Sequence, residues 1–490
     1  MKKRDNLPLN YKERLNSRTS FLVSIAVLVV LCLVFNQMDY TMIRQPAAQA
    51  KKAADLQKQK EEEAAATTQE VTTATVLAVG DNLVQPSLLA SGQSETGAWN
   101  YDSVYANLKS DIQAADIAMV NQETPFTTDH SAVSGTAPYA TPTEIGDALV
   151  NAGFNVVTSA TALIDDNGSS MINETLNYWE TSHPDVTLVG IHKSQTSTNT
   201  AKIVEINGIK IAFLDYTFPA YGSQSGISDN SADTTGSSAS SGSTATSSSS
   251  KGSMIDTFNT ADVAAAIKQA KSSADCVIFS ANWGKTEEPM PTEYEKEWAT
   301  FLMQQGVDVV IGGHPHILQP YGRMSDDQGH NMLIFYSLGN FVSTQQTLTG
   351  LLEGMASFTI QKSVKNGVTT IDILDPTVKP MVMHYNKDEG VFNPYMLEDY
   401  TEELASQHGV KEIIGDEFTL ANLQAKFKEI MSMNVEPSTR TDLLDVSFDY
   451  ELNMIDSNGN VVEDTWSVSA EDYLAGQGNS SGSDSSDDSS

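Results

Sequence analysis

GVDVVIGGHPHILQP (306–320) is the stretch from which the fold is read. Val307 and Val309–Ile311 form an apolar β-branched run that stops at Gly312-Gly313, after which the chain turns through His314-Pro315-His316. Short runs of this kind are strands covered on both faces, as in parallel sheets between helices. Catalytic and metal-binding groups of such sheets collect at the carboxyl ends of strands, and both histidines fall at one. With a single residue between them, on a Gly-rich turn restricted by Pro315, the two imidazoles can point at one centre. Taken alone, HPH reads more simply as two surface loop histidines. Carboxylates ending other strands shift the balance toward a metal.

Working outward, the same pattern recurs. ATVLAVGD (74–81), DIAMVNQE (116–123), FNVVTSAT (154–161), DVTLVGI (185–191), DCVIFSANWG (275–284) and MLIFYSLGNFV (332–342) read as strands, and 202–217 as a hairpin turning at Asn207-Gly208. Helical stretches at 103–115, 143–153, 261–274 and 293–306 lie between them. Alternation at this spacing predicts a layered α/β domain over 73–385. Its strand ends bring up Asp81, Glu123 and Asn282 besides the histidines. Asp81 and Glu123 offer hard oxygen ligands that, with imidazole, suit Zn²⁺, Mn²⁺ or Fe. Each also has a plainer reading, Asp81 as a helix cap and Glu123 as a satisfied carboxylate before Pro125.

The 490 residues carry 29 Lys plus Arg against 63 Asp plus Glu, a formal net charge of −34. Such a surface repels phosphate backbones, which excludes nucleic-acid binding by basic attraction. Two cysteines exclude a disulfide scaffold. Residues 1–18 are locally basic, and 19–38, with FLVSIAVLVVLCLVF at its centre, is about 20 residues or roughly 30 Å as a helix, enough to span a bilayer. The competing reading is a cleaved signal peptide, with Ala48-Gln49-Ala50 as the cleavage site; the long charged lead favours an anchor. Basic residues before the span predict a cytoplasmic N-terminus and an extracellular main domain. Residues 39–72 read as a solvated stalk, 223–253 as a Ser-rich disordered insert, 386–475 as a small accessory module and 476–490 as a disordered Ser-Asp tail. His130, His183, His192, His330, His384 and His408 fit no ligand spacing and read as surface or turn residues, and Trp283 and Tyr336 as core. No nucleophile elbow or P-loop is present.

The blocks GDNLV (80–84), NQETPF (121–126), ANWG (281–284), GVDVVIGGHPHILQP (306–320) and FYSLGNF (335–341) resemble, in order, the CapA/PgsA family of capsule and poly-γ-glutamate synthesis proteins. The resemblance implies a calcineurin-like metallophosphatase fold, a four-layer α/β/β/α sandwich. It also implies a membrane-anchored extracellular subunit that works with a polymer synthase and exporter on an anionic polymer. The family's metal pattern maps onto Asp81, Glu123, His314 and His316. Two departures stand out: Ala160-Thr161-Ala162-Leu163 replaces the family's Ala-Asn-Asn-His, and Asn282-Trp283-Gly284-Lys285-Thr286 replaces His-Trp-Gly-x-Glu. Leu163 can neither ligate nor donate a proton, whereas Asn282 still offers an amide oxygen, which suits Mn²⁺ or Mg²⁺. The expectation is one divalent ion (Mn, Zn, Fe or Mg) or none, with hydrolysis weak or absent. A surface metallophosphoesterase is the alternative.

Overall fold

The computed structural model describes residues 9–67, 70–94, 97–193, 200–218, 254–448 and 454–455, so the insert expected at 223–253 and the tail at 476–490 lie outside the described residues. They form two units, Met1–Glu70 with Val364–Thr369, and Val71–Ser363 with Thr370–Ser490. In the first, a helix over Leu9–Asp39 passes through a π-helical turn at Tyr40–Arg44 into a second helix, Gln45–Thr67. The Ala, Lys, Glu and Gln content of the second makes a helix its natural state. The apolar part, whose best window has a mean hydropathy of 2.5, keeps its side chains exposed and is long enough to cross a membrane.

The second unit is built on two large sheets. Their strands are β1 (Glu70–Asn82), β2 (Ile117–Gln122), β3 (Val156–Thr158), β4 (Thr187–Val189), β5 (Lys202–Ile206), β6 (Ile209–Thr217), β7 (Cys276–Asn282), β8 (Val309–Gly313), β9 (Tyr321–Ser325), β10 (Asn331–Phe335), β11 (Asn340–Val342), β12 (Leu352–Lys365), β13 (Val368–Asn386) and β14 (Val391–Met396). One sheet runs β14-β13-β12-β1-β2-β3-β4, with β11 also paired to β1; the other runs β9-β10-β8-β7-β6-β5. The strands that carry the site, β1 with β2 and β7 with β8, are parallel neighbours. The β5–β6 hairpin turns at Asn207-Gly208, both left-handed, as that dipeptide predicts.

Strand alternation builds the layers. Val76 and Ala78 of β1 share one buried cluster with Ile211 and Phe213 of β6, Ile278 of β7 and Val309 of β8, which is the seam between the sheets. The opposite parity of β1, Leu77 and Val79, packs on helices Thr143–Ala152 and Gly168–Ser182. The opposite parity of β6 and β7, including Leu214, Tyr216 and Phe279, packs on helices Thr260–Ser273 and Glu293–Gln305. The result is the expected helix–sheet–sheet–helix sandwich.

Two expectations give way to different placements. Of the stretch expected as an accessory module over 386–475, residues 386–444 share the main core: β14 extends the sheet, Phe392, Tyr400, Leu423 and Ile430 join the cluster under β1, and Leu443 and Leu444 join the other outer cluster. His384 and His408, read as surface or turn residues, are buried with their rings 5.1 Å apart. His384 Nδ1 meets the Tyr400 hydroxyl at 2.8 Å. His408 Nδ1 accepts the Val410 N–H (2.9 Å) and its Nε2 donates to the Met383 carbonyl (2.9 Å). These bonds satisfy the rings locally, so burial needs no ligand spacing.

Candidate metal centre

The carboxyl ends of β1, β2, β7 and β8 meet at the seam. Asp81 stands in register with Asn121 and with Asn340, and Asn282 with Gly313. A cavity of about 20 Å³, room for roughly one water, is lined there by Asp81, Asn121, Thr158, Ser280, Asn282 and Gly313 among others.

The histidine turn is shaped by close approach. A Cβ on Gly312 would lie 1.8 Å from the Tyr336 carbonyl oxygen, which already accepts the Trp283 indole N–H at 2.9 Å. Beyond the glycines, His314 (φ 91°) and His316 (φ 58°) are both left-handed. For residues with a Cβ this costs on the order of 1–2 kcal/mol each, and it persists only where surroundings enforce it. Here they do: His314 N–H donates to Asp81 Oδ2 (3.2 Å), Glu287 N–H to the Pro315 carbonyl (2.9 Å), and Asn340 Nδ2 to the His316 carbonyl (2.9 Å).

His316 Nδ1 lies 3.1 Å from both Asp81 Oδ2 and Asn340 Oδ1. Both are acceptors, so Nδ1 is the nitrogen that donates and Nε2 is the one left to face a ligand, the arrangement in which a carboxylate orients a ligating imidazole. His314 is 3% exposed, and neither ring nitrogen has a hydrogen-bond partner among the described residues. Its ring sits edge-on to Phe218, with centroids 4.8 Å apart. Burial, then the charge of His316, pulls its pKa down to about 3 against the pull of Asp81, so the ring is a neutral lone-pair donor.

Asn121 ties the two carboxylates together. Its Nδ2 donates to Asp81 Oδ1 (2.7 Å) and to Glu123 Oε2 (2.6 Å), while Thr158 Oγ1 donates to its Oδ1 (3.1 Å) and fixes the amide. Glu123 Oε1 has no partner among the described residues. Burial and then Asp81 push the Glu123 carboxyl well above the ordinary range. Burial pushes Asp81 up too, but His316, Asn121 and the His314 amide outweigh it and leave that carboxyl low.

Glu123, His314 and His316 each present one ligand atom, all within 4.8 Å of one another. Unpartnered donor atoms on buried Glu123 and His314, with partly exposed His316 beside them, fit a divalent cation. Asp81 stands behind them through His316. Asn282 lines the adjoining cavity beside Asp81, and its Oδ1 accepts the Thr217 hydroxyl at 2.9 Å, which leaves that oxygen one lone pair.

The first departure lies in the loop after β3, and the second runs from the end of β7 into the loop beyond it. Ala162 and Leu163 are half-buried in the first loop and bring no donor. The loop is held instead by Asp215, whose Oδ2 accepts the N–H groups of Ser159 (2.8 Å) and Ala160 (2.7 Å), and by Thr161, which donates to the Glu123 carbonyl (2.7 Å). Thr286 is exposed. Trp283 and Tyr336 are buried core, as expected. Half-buried Asn121 stood at a readable strand end without its bridging role, and two buried acids escaped the sequence reading, Asp215 and Glu353. The readable signal for the last two was a lone acid inside an apolar run, IAFLDYT and GLLEGMA.

A profile of the family described as bacterial capsule synthesis protein PGA_cap matches residues 75–345. The PGA biosynthesis protein CapA of Bacillus subtilis (strain 168) is 25% identical over 292 residues, 57% of this chain and 67% of that protein. The capsule biosynthesis protein CapA of Bacillus anthracis is 23% identical over 228 residues, 46% of this chain and 48% of that protein. Among solved structures, a phosphatase from Mycoplasma pneumoniae aligns with a TM-score of 0.35 and 13% identity, covering 64% of this chain and 95% of that one. A Thermus thermophilus protein aligns with a TM-score of 0.28 and 10% identity, covering 61% of this chain and 99% of that one. The profile spans more than half of the sequence, and the chain therefore belongs to the bacterial capsule synthesis family PGA_cap.

Proposed function

We propose that this chain is a membrane-anchored, outward-facing protein that assists synthesis or export of an anionic capsular polymer, poly-γ-glutamate, through a cation held by Glu123, His314 and His316 and oriented by Asp81. The observation that carries the cation is the trio of ligand atoms within 4.8 Å, two of whose residues leave buried polar atoms without a partner among the described residues. The polymer is supported by the names of the two Bacillus relatives. The anchor is supported by the exposed apolar helix, and its orientation by the basic residues that precede it.

The charge of the protein bears on how a polyanion is handled. At a net −34 the average surface repels poly-γ-glutamate, so any grip is local or passes through a partner subunit such as a synthase or exporter. A bound divalent ion supplies a positive charge toward which a carboxylate can turn. The chain's own part is to hold that charge: His314 stays neutral, His316 keeps Nε2 free, and Asn121 keeps the two carboxylates together. Gene deletion with assay of cell-bound polymer tests the reading. Polymer is expected to fall, with rescue by the wild-type gene and not by His314→Ala with His316→Ala; unchanged polymer in the deletion strain refutes it.

The same trio favours a second reading, a cell-surface metallophosphoesterase. Ala162 and Leu163, which bring no donor atom, weigh against it, because a two-metal hydrolase needs more ligands and a proton donor for the leaving oxygen. Turnover of p-nitrophenyl phosphate by the full chain with MnCl₂, abolished by His316→Ala, would establish that reading in place of the first.

A further inference from the structure

Glu123 stands just past β2, which ends at Gln122, so regular pairing stops short of it. The neighbouring strand end is irregular as well. β1 shifts register against β2 between Ala78 and Asp81, and against β11 between Asp81 and Asn82. Side chains take over where the ladder stops. The Tyr105 hydroxyl donates to Asn82 Oδ1 (2.8 Å), and Asn82 Nδ2 donates to Gln122 Oε1 (2.8 Å). Gln122 Nε2 in turn donates to the Thr124 carbonyl (2.8 Å) and hydroxyl (3.2 Å), and that hydroxyl meets the Thr141 hydroxyl at 2.6 Å.

This row brackets Glu123, since it binds the residues on either side of it. The Glu123 N–H makes a stretched bond to the Asn82 carbonyl (3.4 Å), and its carbonyl accepts the Thr161 hydroxyl (2.7 Å). Tyr105, Asn82, Gln122 and Thr124 are at most 1% exposed. Each amide accepts through its oxygen and donates through its nitrogen, so the row runs in one direction. Buried polar groups are costly unless satisfied in this way, and leucine, methionine or phenylalanine would fill the same positions without that demand. The far end is anchored too. The Tyr105 ring stacks on Phe341 with centroids 5.6 Å apart, and its helix, Asp102–Tyr105, receives a bond from Asn393 of β14 to the Ser103 carbonyl.

We infer that Asn82, Gln122 and Tyr105 are positioning residues of the metal centre, which set the Glu123 carboxylate against His314 and His316 by fixing the backbone around it. They act through Glu123 and are not ligands themselves. The inference rests on the cation-binding part of the proposed function.

The test uses the full chain in detergent, with MnCl₂ as the probe, read by calorimetric titration. Gln122→Met, which keeps the length of the side chain, is expected to weaken Mn²⁺ binding about tenfold or more. Tyr105→Phe removes one hydroxyl and is expected to weaken it about threefold. Both act through one row, so the double variant should bind Mn²⁺ no more weakly than Gln122→Met alone. Tyr101→Phe is the control: it removes an equally buried hydroxyl, bonded to the Leu89 carbonyl (2.9 Å), and should leave the affinity unchanged. Unchanged affinity in either Gln122→Met or Tyr105→Phe overturns the inference and leaves the cation site standing. An equal loss in Tyr101→Phe, which would tie affinity to the core at large, overturns it too, as does an additive loss in the double variant. If Gln122→Met fails to fold, the affinity of Tyr105→Phe decides alone. A wild-type chain that binds no Mn²⁺ overturns this inference together with the cation reading above.

Discussion

Asn121 shows how much of the site depends on a neutral residue. Asp81 and Glu123 are like charges at the ends of adjacent structure, and the two N–H bonds of one amide hold them together. Replacing it with alanine leaves both carboxylates short of a donor, and we expect Asn121→Ala to cost about 1–3 kcal/mol of stability in urea denaturation of the metal-free chain. Asp215 makes a different prediction. Burial lifts its carboxyl to about 7 although two backbone amides and Ser280 favour its charged form. Its folded value lies above the unfolded one, so the stability it contributes is full below about pH 4 and is lost as pH rises toward 7. Asp215→Asn keeps an oxygen for the two amides and cannot ionise. Its stability in EDTA should lack this decline, about 2–4 kcal/mol, between pH 4 and 7; a parallel pH profile for variant and wild type would show that Asp215 does not titrate in that window. At this scale the sequence discloses Asp81, Glu123, His314 and His316, because each ends a readable strand. It conceals Asp215 and Glu353, because an acid within an apolar run is interpretable only once the facing residues are known. Asn121 was visible as a residue, but its bridging role depends on register.

The elements divide in the same way. The strand ending at Gly313 and the turn after it were legible from their own residues, since β-branched runs and paired glycines are local signals. The buried histidine pair was not, because the partners that bury them lie elsewhere in the chain, Tyr400 for His384 and Met383 for His408. Burial, above all, lowers His384 to about 4 and His408 to about 3. Folded values below the unfolded one mean that the unfolded chain binds the extra protons, so stability falls as pH drops below about 6.5. At pH 5 the loss is about 2 kcal/mol per histidine. His408→Gln can replace the donor and the acceptor without titrating, so its deficit against wild type should narrow by about that amount between pH 7 and pH 5 in urea denaturation. A constant deficit would count against the buried-histidine account. Asp215 and Glu295, both raised to about 7 chiefly by burial, act in the opposite sense over the same window. The variant-minus-wild-type difference is therefore the quantity to measure.

For the whole molecule, the layered α/β class follows from the order of strands and helices, but the extent of the second unit does not. Residues 386–444 look like an appendage in sequence because they are polar between their apolar anchors. In space those anchors cover the core beside β1. Truncation after residue 385 should therefore leave an insoluble or protease-sensitive product, whereas truncation after residue 446 keeps Leu443 and Leu444 in place. Limited proteolysis of the two products compares them directly. The pairing of β1 has a consequence for the order of events during synthesis. Asp81 pairs with Asn340, about 260 positions later, and β12 follows later still. At roughly 5–20 residues per second, β1 is made some 15–50 s before that partner exists. The centre that Asp81 completes is thus assembled late, after most of the chain has emerged, and until then an apolar strand needs protection from wrong partners.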